Sequence, residues 1–367
     1  MVAALSFLAG ELHAAGLRAG LDAVGVAPAD PFVATRRDLD ERKAAGLHGG
    51  MHFTYGNPAR STDPDQALPG ARSLVVGARS YRRADPDPHP WPGPAGAVAR
   101  YSWDDAYAPL RTALGEVAGL LRAAGWRARV LADDNALVDR AAAHRAGIGW
   151  YGKNTNLLLP GRGSWFVLGS VVTDAPLPPA VAPVEDGCGT CTRCLPACPT
   201  GALIAPGVLD ARRCLAWLLQ ADGDFPVEHR EALGGRVYGC DECQEVCPPN
   251  RSADRRRPPP PAQEHDEATV PLVDLLEASD DELLDRYGRW YIPRRQPRYL
   301  RRNALVALGN VGDGADPDVV RVLQRALRSD DPMLRGHAAW AATRLGRADL
   351  VGAGADGGTR TPRVTPQ

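Results

Sequence analysis

C-G-T-C-T-R-C-L-P-A-C-P-T-G-A-L (Cys188–Leu203) and C-D-E-C-Q-E-V-C-P-P-N (Cys240–Asn250) are the stretches on which the reading of this chain turns. With Cys214 between them, they hold all eight cysteines of the 367 residues. Cys188, Cys191, Cys194 and Cys198 are spaced C-x2-C-x2-C-x3-C-P, and Cys240, Cys243 and Cys247 are spaced C-x2-C-x3-C-P. Three thiolates at successive i, i+3 positions wrap one cubane iron–sulfur cluster. The fourth, turned away by the proline after it, serves a neighbouring cluster. The second run is one ligand short, and Cys214, in the predicted helix A-R-R-C-L-A-W-L-L, completes it. Two 4Fe-4S clusters are therefore expected, one on Cys188, Cys191, Cys194 and Cys247 and the other on Cys198, Cys214, Cys240 and Cys243. Structural zinc also uses paired C-x2-C, but it explains neither a third cysteine at i+6 nor the proline after both Cys198 and Cys247. A disulfide framework fits poorly in a chain of this length without a secretory signal.

The length suggests two or three domains. The net charge of −1 and a pI near 6.7 point to no partner through global charge. No apolar run is long enough to span a bilayer. The N-terminus, with Glu11 and no basic region, reads as an amphipathic helix carrying Leu5, Leu8 and Leu12, not an export signal. The expectation is a cytoplasmic monomer without membrane contact, where reduced cysteines survive.

Residues 1–175 alternate strand and helix patterns: strands at Ala23–Ala27, Ser73–Gly77, Arg127–Leu131 and Trp165–Val172, helices at Leu110–Ala124 and Asn135–Ala146. That alternation argues a mixed α/β domain. Asp85–Gly96, rich in Pro and Gly, is a surface loop. Residues 176–250 form the cysteine domain, entered through a proline-punctuated connector at 176–187. Residues 251–264 are a Pro/Arg-rich linker expected to extend as polyproline II. Residues 265–350 are helical, and L-R-R-N-A-L-V-A-L-G from Leu300 echoes L-R-G-H-A-A-W-A-A-T from Leu334 at an offset of 34. Arg301/Arg335, Ala304/Ala338, Ala307/Ala341 and Gly312/Gly346 coincide, a pattern similar to HEAT repeats. The tail at 351–367 is expected to be disordered.

Only two lysines occur, Lys43 and Lys153, so Lys153 hints at a place where an ammonium is wanted. It lies in Gly147-I-G-W-Y-Gly152-Lys153-Asn154, close to a phosphate-binding G-x4-G-K-[ST] loop. Asn154 replaces the required hydroxyl, and the loop follows a helix instead of a strand, so nucleotide binding is set aside.

Around the cysteines run A-G-I-G-W-Y-G-K-N-T-N-L-L, G-S-W-F-V-L-G-S-V-V-T-D-A-P-L-P, C-P-T-G-A-L-I-A-P-G-V-L-D-A-R-R-C and G-R-V-Y-G-C-D-E-C-Q-E-V-C-P-P-N. Together they resemble the epoxyqueuosine reductase family, over about residues 20–310. The resemblance implies a fold of three parts: an N-terminal mixed α/β cobalamin-binding domain, a ferredoxin-like domain with two 4Fe-4S clusters, and C-terminal helical HEAT-like repeats, α+β or α/β overall. It implies reduction of epoxyqueuosine to queuosine in a tRNA anticodon loop, with cobalamin as cofactor and a ferredoxin- or flavodoxin-type electron donor. It also implies that Asp133, seventeen residues before Trp150 of G-W-x-G-K, gives a proton to the epoxide oxygen. Arg60, Ser102, Lys153, Asn154, Thr155, Asn156, Ser164 and Trp165 become candidate cofactor contacts alongside Asp133. The chain departs from the family in two places. D-S-A-P-V-L-E becomes Asp133-Asp134-Asn135-Ala136-Leu137-Val138-Asp139, and R-Y-A-x-G-x-D-Y-H becomes Arg100–Ala108, without the histidine.

Removing an epoxide oxygen to leave an alkene takes two electrons and protons. Clusters that pass electrons singly, a terminal carrier and a carboxylic acid with raised pKa suit that task. Asp133 beside Asp134 fits the acid, against the plainer reading of a solvated turn or helix cap. From Arg286 to Arg302 there are seven arginines and no acid, interleaved with Tyr287, Trp290, Tyr291 and Tyr299. Arg294, Arg295, Arg298, Arg301 and Arg302 are the candidate tRNA contacts, and the alternative is a solvated helix face with aromatics packed beneath it. Competing functions are a corrinoid reductase for another substrate, similar to reductive dehalogenases, and a non-catalytic ferredoxin-type electron carrier.

Overall fold

Alternation with a period of two sets the centre of the molecule: Leu74, Val76 and Ala78 enter one core and Val75 enters another. The computed structural model describes residues 2–87, 91–179 and 184–353, so part of the loop at 85–96, part of the connector at 176–187 and the tail beyond 353 lie outside the described residues. Two compact units interleave along the chain. The first takes Met1–Pro86, Arg100–Trp217 and Asp241–Asp266; the second takes Asp87–Ala99, Leu218–Cys240 and Glu267–Gln367. These units cut the chain differently from the boundaries expected from sequence.

The first unit runs α1 (Val2–Arg18), β1 (Ala23–Pro28), α2 (Val33–Ala44), α3 (Pro58–Ser61) and β2 (Ser73–Ser80). After β3 (Ala95–Val98), which belongs to the second unit, come α4 (Tyr107–Ala123), β4 (Ala128–Ala132) and α5 (Asp139–Arg145). Then follow β5 (Trp150–Tyr151), β6 (Leu157–Leu158) and β7 (Phe166–Thr173). The sheet has the order β1-β2-β7-β4 with every pairing antiparallel. The strands fall where the sequence pattern puts them. The alternation of strand and helix, however, builds no parallel crossover, and the architecture is α+β.

One face of the sheet packs Leu74, Val76, Leu131, Leu168 and Val172 against Ala141–Ala143 of α5. The other packs Val75, Val167 and Val171 against Leu12 of α1 and Leu110, Leu114, Val117 and Leu121 of α4. In α4 those residues recur at helical spacing, and Asp105 accepts hydrogen bonds from the Tyr107 and Ala108 amides at 3.0 and 2.9 Å. Leu114 is 1% exposed; truncating such a residue to Ala costs about 2–5 kcal/mol.

The cysteine segment of this unit contributes α6 (Cys194–Ala197), β8 (Leu203–Ala205), β9 (Val208–Leu209) and α7 (Leu215–Leu218, at the edge of the unit). The second unit holds α8 (Arg230–Leu233) and β10 (Arg236–Tyr238), and the first resumes with α9 (Glu242–Glu245) and α10 (Pro248–Arg256). Two local expectations are corrected here. Cys214 is not within a helix: it follows a 3-10 turn at Ala211–Arg213, takes an extended backbone (φ −75°, ψ 116°) and precedes α7. The segment after Cys247 is not extended at first. Pro248 and Pro249 stand in the first turn of α10, where a missing N–H costs nothing, and only the proline run after Arg257 lacks regular structure.

The remainder of the second unit is β11 (Thr269–Pro271), α11 (Leu272–Glu277), α12 (Asp280–Tyr287), α13 (Arg298–Val311), α14 (Pro317–Leu327), α15 (Pro332–Arg344) and α16 (Asp349–Ala353). Strands β10, β3 and β11 form its small sheet. The echoing segments of the sequence lie on α13 and α15, which pack on one another, with α14 also against α15. No helix among the described residues is long and apolar enough to cross a membrane.

Candidate active site

Cysteine placement follows from local backbone geometry. The amide of Cys191 donates to the Cys188 carbonyl at 3.0 Å, closing a turn that needs Gly189 at φ 50°. Cys198, Cys214 and Cys247 share one extended conformation, with ψ of 115°, 116° and 119°. Burial, opposed by the Asn250 amide and reinforced by Cys188, Cys194 and Cys191, pushes the Cys247 thiol up to about 11. Burial also raises Cys194, with Cys188 and Cys191 adding to it. These four thiols therefore gather in one place. Cys214 is raised by burial, and Cys198 adds to the shift. At Cys198 burial pushes upward too, but the amides of Thr200, Leu203 and Ala202 pull the thiol down; Ala202 N donates to its Sγ at 3.2 Å. Cys243 lies on α9, and Cys240 ends a segment of the second unit. Buried thiols that repel one another when ionised, with amides aimed at sulfur, fit iron–sulfur ligation. No disulfide joins any of them.

Asp133 stands where β4 ends. Its φ of 55° lies in the left-handed region, which Asp tolerates better than most residues. The residue keeps a solvent-exposed edge, yet the protein packed round its carboxyl raises the pKa. Burial is the main cause; Arg111 opposes it, and Asp105 and Asp134 reinforce it. Asp134, expected as the paired carboxyl, accepts the Ala136 amide at 2.8 Å and closes the turn into the next segment. The structure adds Asp139, a residue that the sequence reading left without a role. Its carboxyl is buried and held well above the usual range, first by burial and then by Asp133, with Asp134 adding and Arg140 opposing. Its Oδ1 is buried without a hydrogen-bond partner. Tyr107 completes the group: burial raises its phenol, and Asp133, Asp139 and Tyr101 raise it further. The sequence signal for this trio was faint, an aspartate six residues after Asp133 and a tyrosine opening α4.

Arg140 joins this corner to the cysteines. Its Nη1 donates to the Thr155 carbonyl at 2.7 Å. Its charge is felt by Asp139, by Tyr107 and by Cys214. Arg60 is exposed on α3, whose last residue, Ser61, accepts the Val138 amide just before α5 at 3.0 Å.

The G-K-N-T-N segment is fastened to the cysteine loops. Lys153 Nζ donates to the Gly189 carbonyl at 2.6 Å, between the first two cysteines. Asn154, 4% exposed, donates from Nδ2 to the Cys243 carbonyl at 3.3 Å, and its Oδ1 accepts the Asn156 amide at 3.2 Å. Thr155 sits at φ 68°, a strained value for a β-branched residue. β5 and β6 form a hairpin round this segment, and no helix follows it, so the phosphate-loop likeness is a coincidence of letters.

Ser164 is buried: its amide donates to Asn250 Oδ1 at 2.6 Å and its hydroxyl to Gln244 Oε1 at 2.9 Å. A Cβ at Gly163 would run into the Asn250 side chain, so this position has no room for anything but glycine. Trp165 and Trp103 line a cavity of about 720 Å³ together with Arg100, Asp105, Arg82 and Arg162. Arg100 lies over both indoles, 4.8 Å from the centre of Trp103 and 5.6 Å from that of Trp165. Trp165 Nε1 is buried without a partner. Ser102 is buried in the short turn at Arg100–Ser102 next to this wall. A polar cavity walled by indoles and guanidinium groups, at the sheet end that carries Asp133, fits a large organic cofactor bearing amides and a phosphate.

The arginine-rich stretch of the second unit is corrected in part. Arg302 is 0% exposed. It donates to the carbonyls of Leu218, Ala221 and Gly223 at 2.9, 2.8 and 2.7 Å, so its guanidinium is spent on stapling a loop and is not on the surface. Tyr287, Trp290 and Tyr299 are buried, and Trp290 stacks on Tyr238 and on Tyr287, both at 4.6 Å. They are core, and Tyr291, 57% exposed, is the aromatic left on the surface. Arg294 pairs with Asp222 at 2.9 Å, Arg298 with Asp331 at 3.0 Å and Arg301 with Asp280, while Arg295 donates to the Gly288 carbonyl at 3.2 Å.

Residues 187–250 match the 4Fe-4S double cluster binding domain. The epoxyqueuosine reductase of Bacillus cereus is 36% identical over 339 residues, covering 91% of this chain and 87% of the relative. That of Xanthomonas campestris pv. campestris is 37% identical over 311 residues, 83% of this chain and 86% of the relative. An epoxyqueuosine reductase solved with a tRNA-Tyr epoxyqueuosine-modified stem loop superposes with a TM-score of 0.85 at 32% identity, over 97% of this chain and 95% of that one. The Bacillus subtilis enzyme, solved with its catalytic aspartate loop swung out of the active site, gives 0.85 at 33% identity over 97% and 96%. With relatives at this identity over most of both chains, the chain belongs to the epoxyqueuosine reductase family.

Proposed function

We propose that this chain reduces the epoxide of epoxyqueuosine in a tRNA anticodon loop to the alkene of queuosine. The observation that carries the reading is the acid corner: Asp133, with its raised carboxyl, acts on the buried carboxyl of Asp139, and Asp139 shares the Arg140 cation with Cys214 of the second thiol group. Two 4Fe-4S clusters and cobalamin, when bound, supply the electrons one at a time and the low-potential terminal carrier. Cys188, Cys191, Cys194 and Cys247 would hold one cluster, and Cys198, Cys214, Cys240 and Cys243 the other. Trp165, Ser102 and Arg60 would border the corrin, with Lys153, Asn154, Thr155, Asn156 and Ser164 as further residues that would hold it. Asp133 gives its proton to the leaving oxygen, and a raised pKa keeps that proton in place near neutral pH. α11 to α16 read as a HEAT-like stack of helix pairs that presents Arg294, Arg295, Arg298 and Arg301 to the RNA backbone; Arg302 is dropped from that set.

The domain reading that goes with this function keeps 1–175 as the corrinoid part, 176–250 as the cluster part and 265–350 as the RNA-binding part. The departure at Arg100–Ala108 favours a second reading, the same chemistry on another substrate. Protein reconstituted without oxygen, given reductant and an epoxyqueuosine-bearing stem loop, decides between them. Queuosine detected by mass spectrometry supports the proposal. A corrin spectrum without queuosine leaves the second reading, and no corrin binding removes both.

A further inference from the structure

On the wall of the cavity, two segments far apart in the chain bring two carboxylates and an imidazole together. Asp104 comes from the turn before α4, and His265 and Asp266 come from the segment after α10. One donor atom from each lies within 4.8 Å of the other two. Each carboxylate has one oxygen held from behind. Asp104 Oδ1 accepts the Asp105 amide at 2.7 Å. Asp266 Oδ2 accepts the Gln263 amide at 2.7 Å and pairs with Arg83 Nε at 3.3 Å. That leaves Asp104 Oδ2, 3.4 Å from His265 Nε2, and Asp266 Oδ1. The Asp266 side chain is 0% exposed, and its Oδ1 has no hydrogen-bond partner among the described residues. A buried carboxylate oxygen in that state is uncommon, and an ion is one of the few things that accounts for it.

We propose that Asp104, His265 and Asp266 bind one divalent transition-metal cation, of the kind zinc typifies, which fastens the segment after α10 to the turn before α4. The inference goes beyond the reductase reading and does not depend on it.

The spacing and the donor set both favour an ion over a plain His–Asp pair. A separation of 3.4 Å is longer than a hydrogen bond of about 2.7–3.2 Å. It matches the edge between two donors of a tetrahedron with bonds of about 2.1 Å, which is about 3.4 Å. One imidazole nitrogen with two carboxylate oxygens suits zinc or manganese, whereas magnesium and calcium take oxygen alone. The two carboxylates balance the charge of the cation. The Asp105 and Gln263 amides and Arg83 are the outer partners that metal-binding carboxylates ordinarily have, and they turn the free oxygens towards His265. Asp104 and His265 keep solvent access, which gives the ion an entry path. The segment is already laid along the strand exit after β2: the Ala84 amide donates to the Pro260 carbonyl at 2.7 Å, and Arg82 pairs with Asp254 at 2.8 Å. The ion adds a link at the end of that segment, where Asp266 stands, and so secures the wall that Pro258–Pro260 and Trp103 share.

The test uses the full-length protein with its iron–sulfur clusters reconstituted and oxidised, a state in which a cubane gives no EPR signal. Mn2+ is the probe, followed by loss of the free-ion EPR signal. One ion should bind per chain, and its spin-echo envelope should carry the nitrogen modulation of an imidazole. Zn2+ should displace it, and Mg2+ at the same concentration should not. His265→Ala and Asp104→Asn, both at positions open to solvent, should each weaken binding by at least about 10-fold, since even the outer partners of a metal are worth about 10–100-fold. His265→Ala should also lose the nitrogen modulation, while Glu264→Gln, an adjacent acid outside the set, should bind as the wild type does. Reading the difference between wild type and His265→Ala cancels any ion held elsewhere, cysteines included. Affinity unchanged in both variants, nitrogen modulation that survives His265→Ala, or displacement by Mg2+ overturns the proposal. The fastening is read separately: Zn2+ should slow tryptic cleavage after Arg255 and Arg256 in the wild type and leave His265→Ala unaffected. Equal cleavage of the wild type with and without Zn2+ overturns that part.

Discussion

Asp133 combines a left-handed backbone with a carboxyl that holds its proton more tightly than usual, and both properties come from its place at the end of β4. Asparagine also tolerates φ near 55°, so Asp133→Asn removes the proton while leaving the turn intact. Iron and corrin content should stay at wild-type levels and turnover should drop about 100-fold or more, the usual range for a lost general acid. Single-turnover assays on the stem loop check this, and near-wild-type rates would remove Asp133 as donor. Asp134 looked equivalent in the sequence, but its carboxyl closes a turn on Ala136. Asp139 was invisible as a site residue, because proximity between residues six apart in sequence depends on how the loop folds.

At the scale of elements, α13 and α15 carry buried polar groups that hold the second unit together. Burial lowers Arg302 to about 10, and its guanidinium serves carbonyls between Leu218 and Gly223. Arg302→Met keeps the volume and orphans those acceptors, which should destabilise the protein by about 3 kcal/mol or more, each buried orphan costing about 1–3. Urea unfolding measures this, and stem-loop affinity of the folded variant should not change. His337, 1% exposed, accepts the Phe225 amide at Nε2 and donates from Nδ1 to the Met333 carbonyl. Burial lowers its pKa to about 4 from an ordinary 6.5. Because the folded pKa is the lower one, the unfolded chain binds the extra proton first, and stability falls as pH drops from 6.5 towards 4. Between pH 7 and 5 that amounts to about 2 kcal/mol. Comparing urea midpoints at the two pH values for wild type and His337→Gln checks it: the variant should lose most of this dependence.

For the whole molecule, the cysteine block is the part read most fully from sequence, since cluster ligation depends on local spacing and on the kind of ligand atom. Cys214→Ala should lower iron from about eight to about four atoms per chain, one cubane in place of two. Unchanged iron would show that Cys214 is no ligand. The strands of the main sheet were legible too, through the alternation in Ser73–Ser80 and Phe166–Thr173. Their antiparallel order was not, because periodicity fixes which side chains face inward and says nothing of which edges meet. The arginine and aromatic stretch misled for a related reason. A run such as Arg286–Arg302 reads as surface, and only packing revealed that Tyr287, Trp290, Tyr299 and Arg302 face inward. The sequence by itself determined the cluster chemistry, the four strands of the main sheet and the family, all properties of neighbours along the chain; of the helix expected at Asn135–Ala146 only Asp139–Arg145 forms. Tertiary structure alone decided which buried carboxyl feels the Asp133 charge, which arginines remain on the surface, and how two units interleave along the chain. Those depend on residues distant in sequence being brought within reach, where burial shifts a pKa or satisfies a guanidinium.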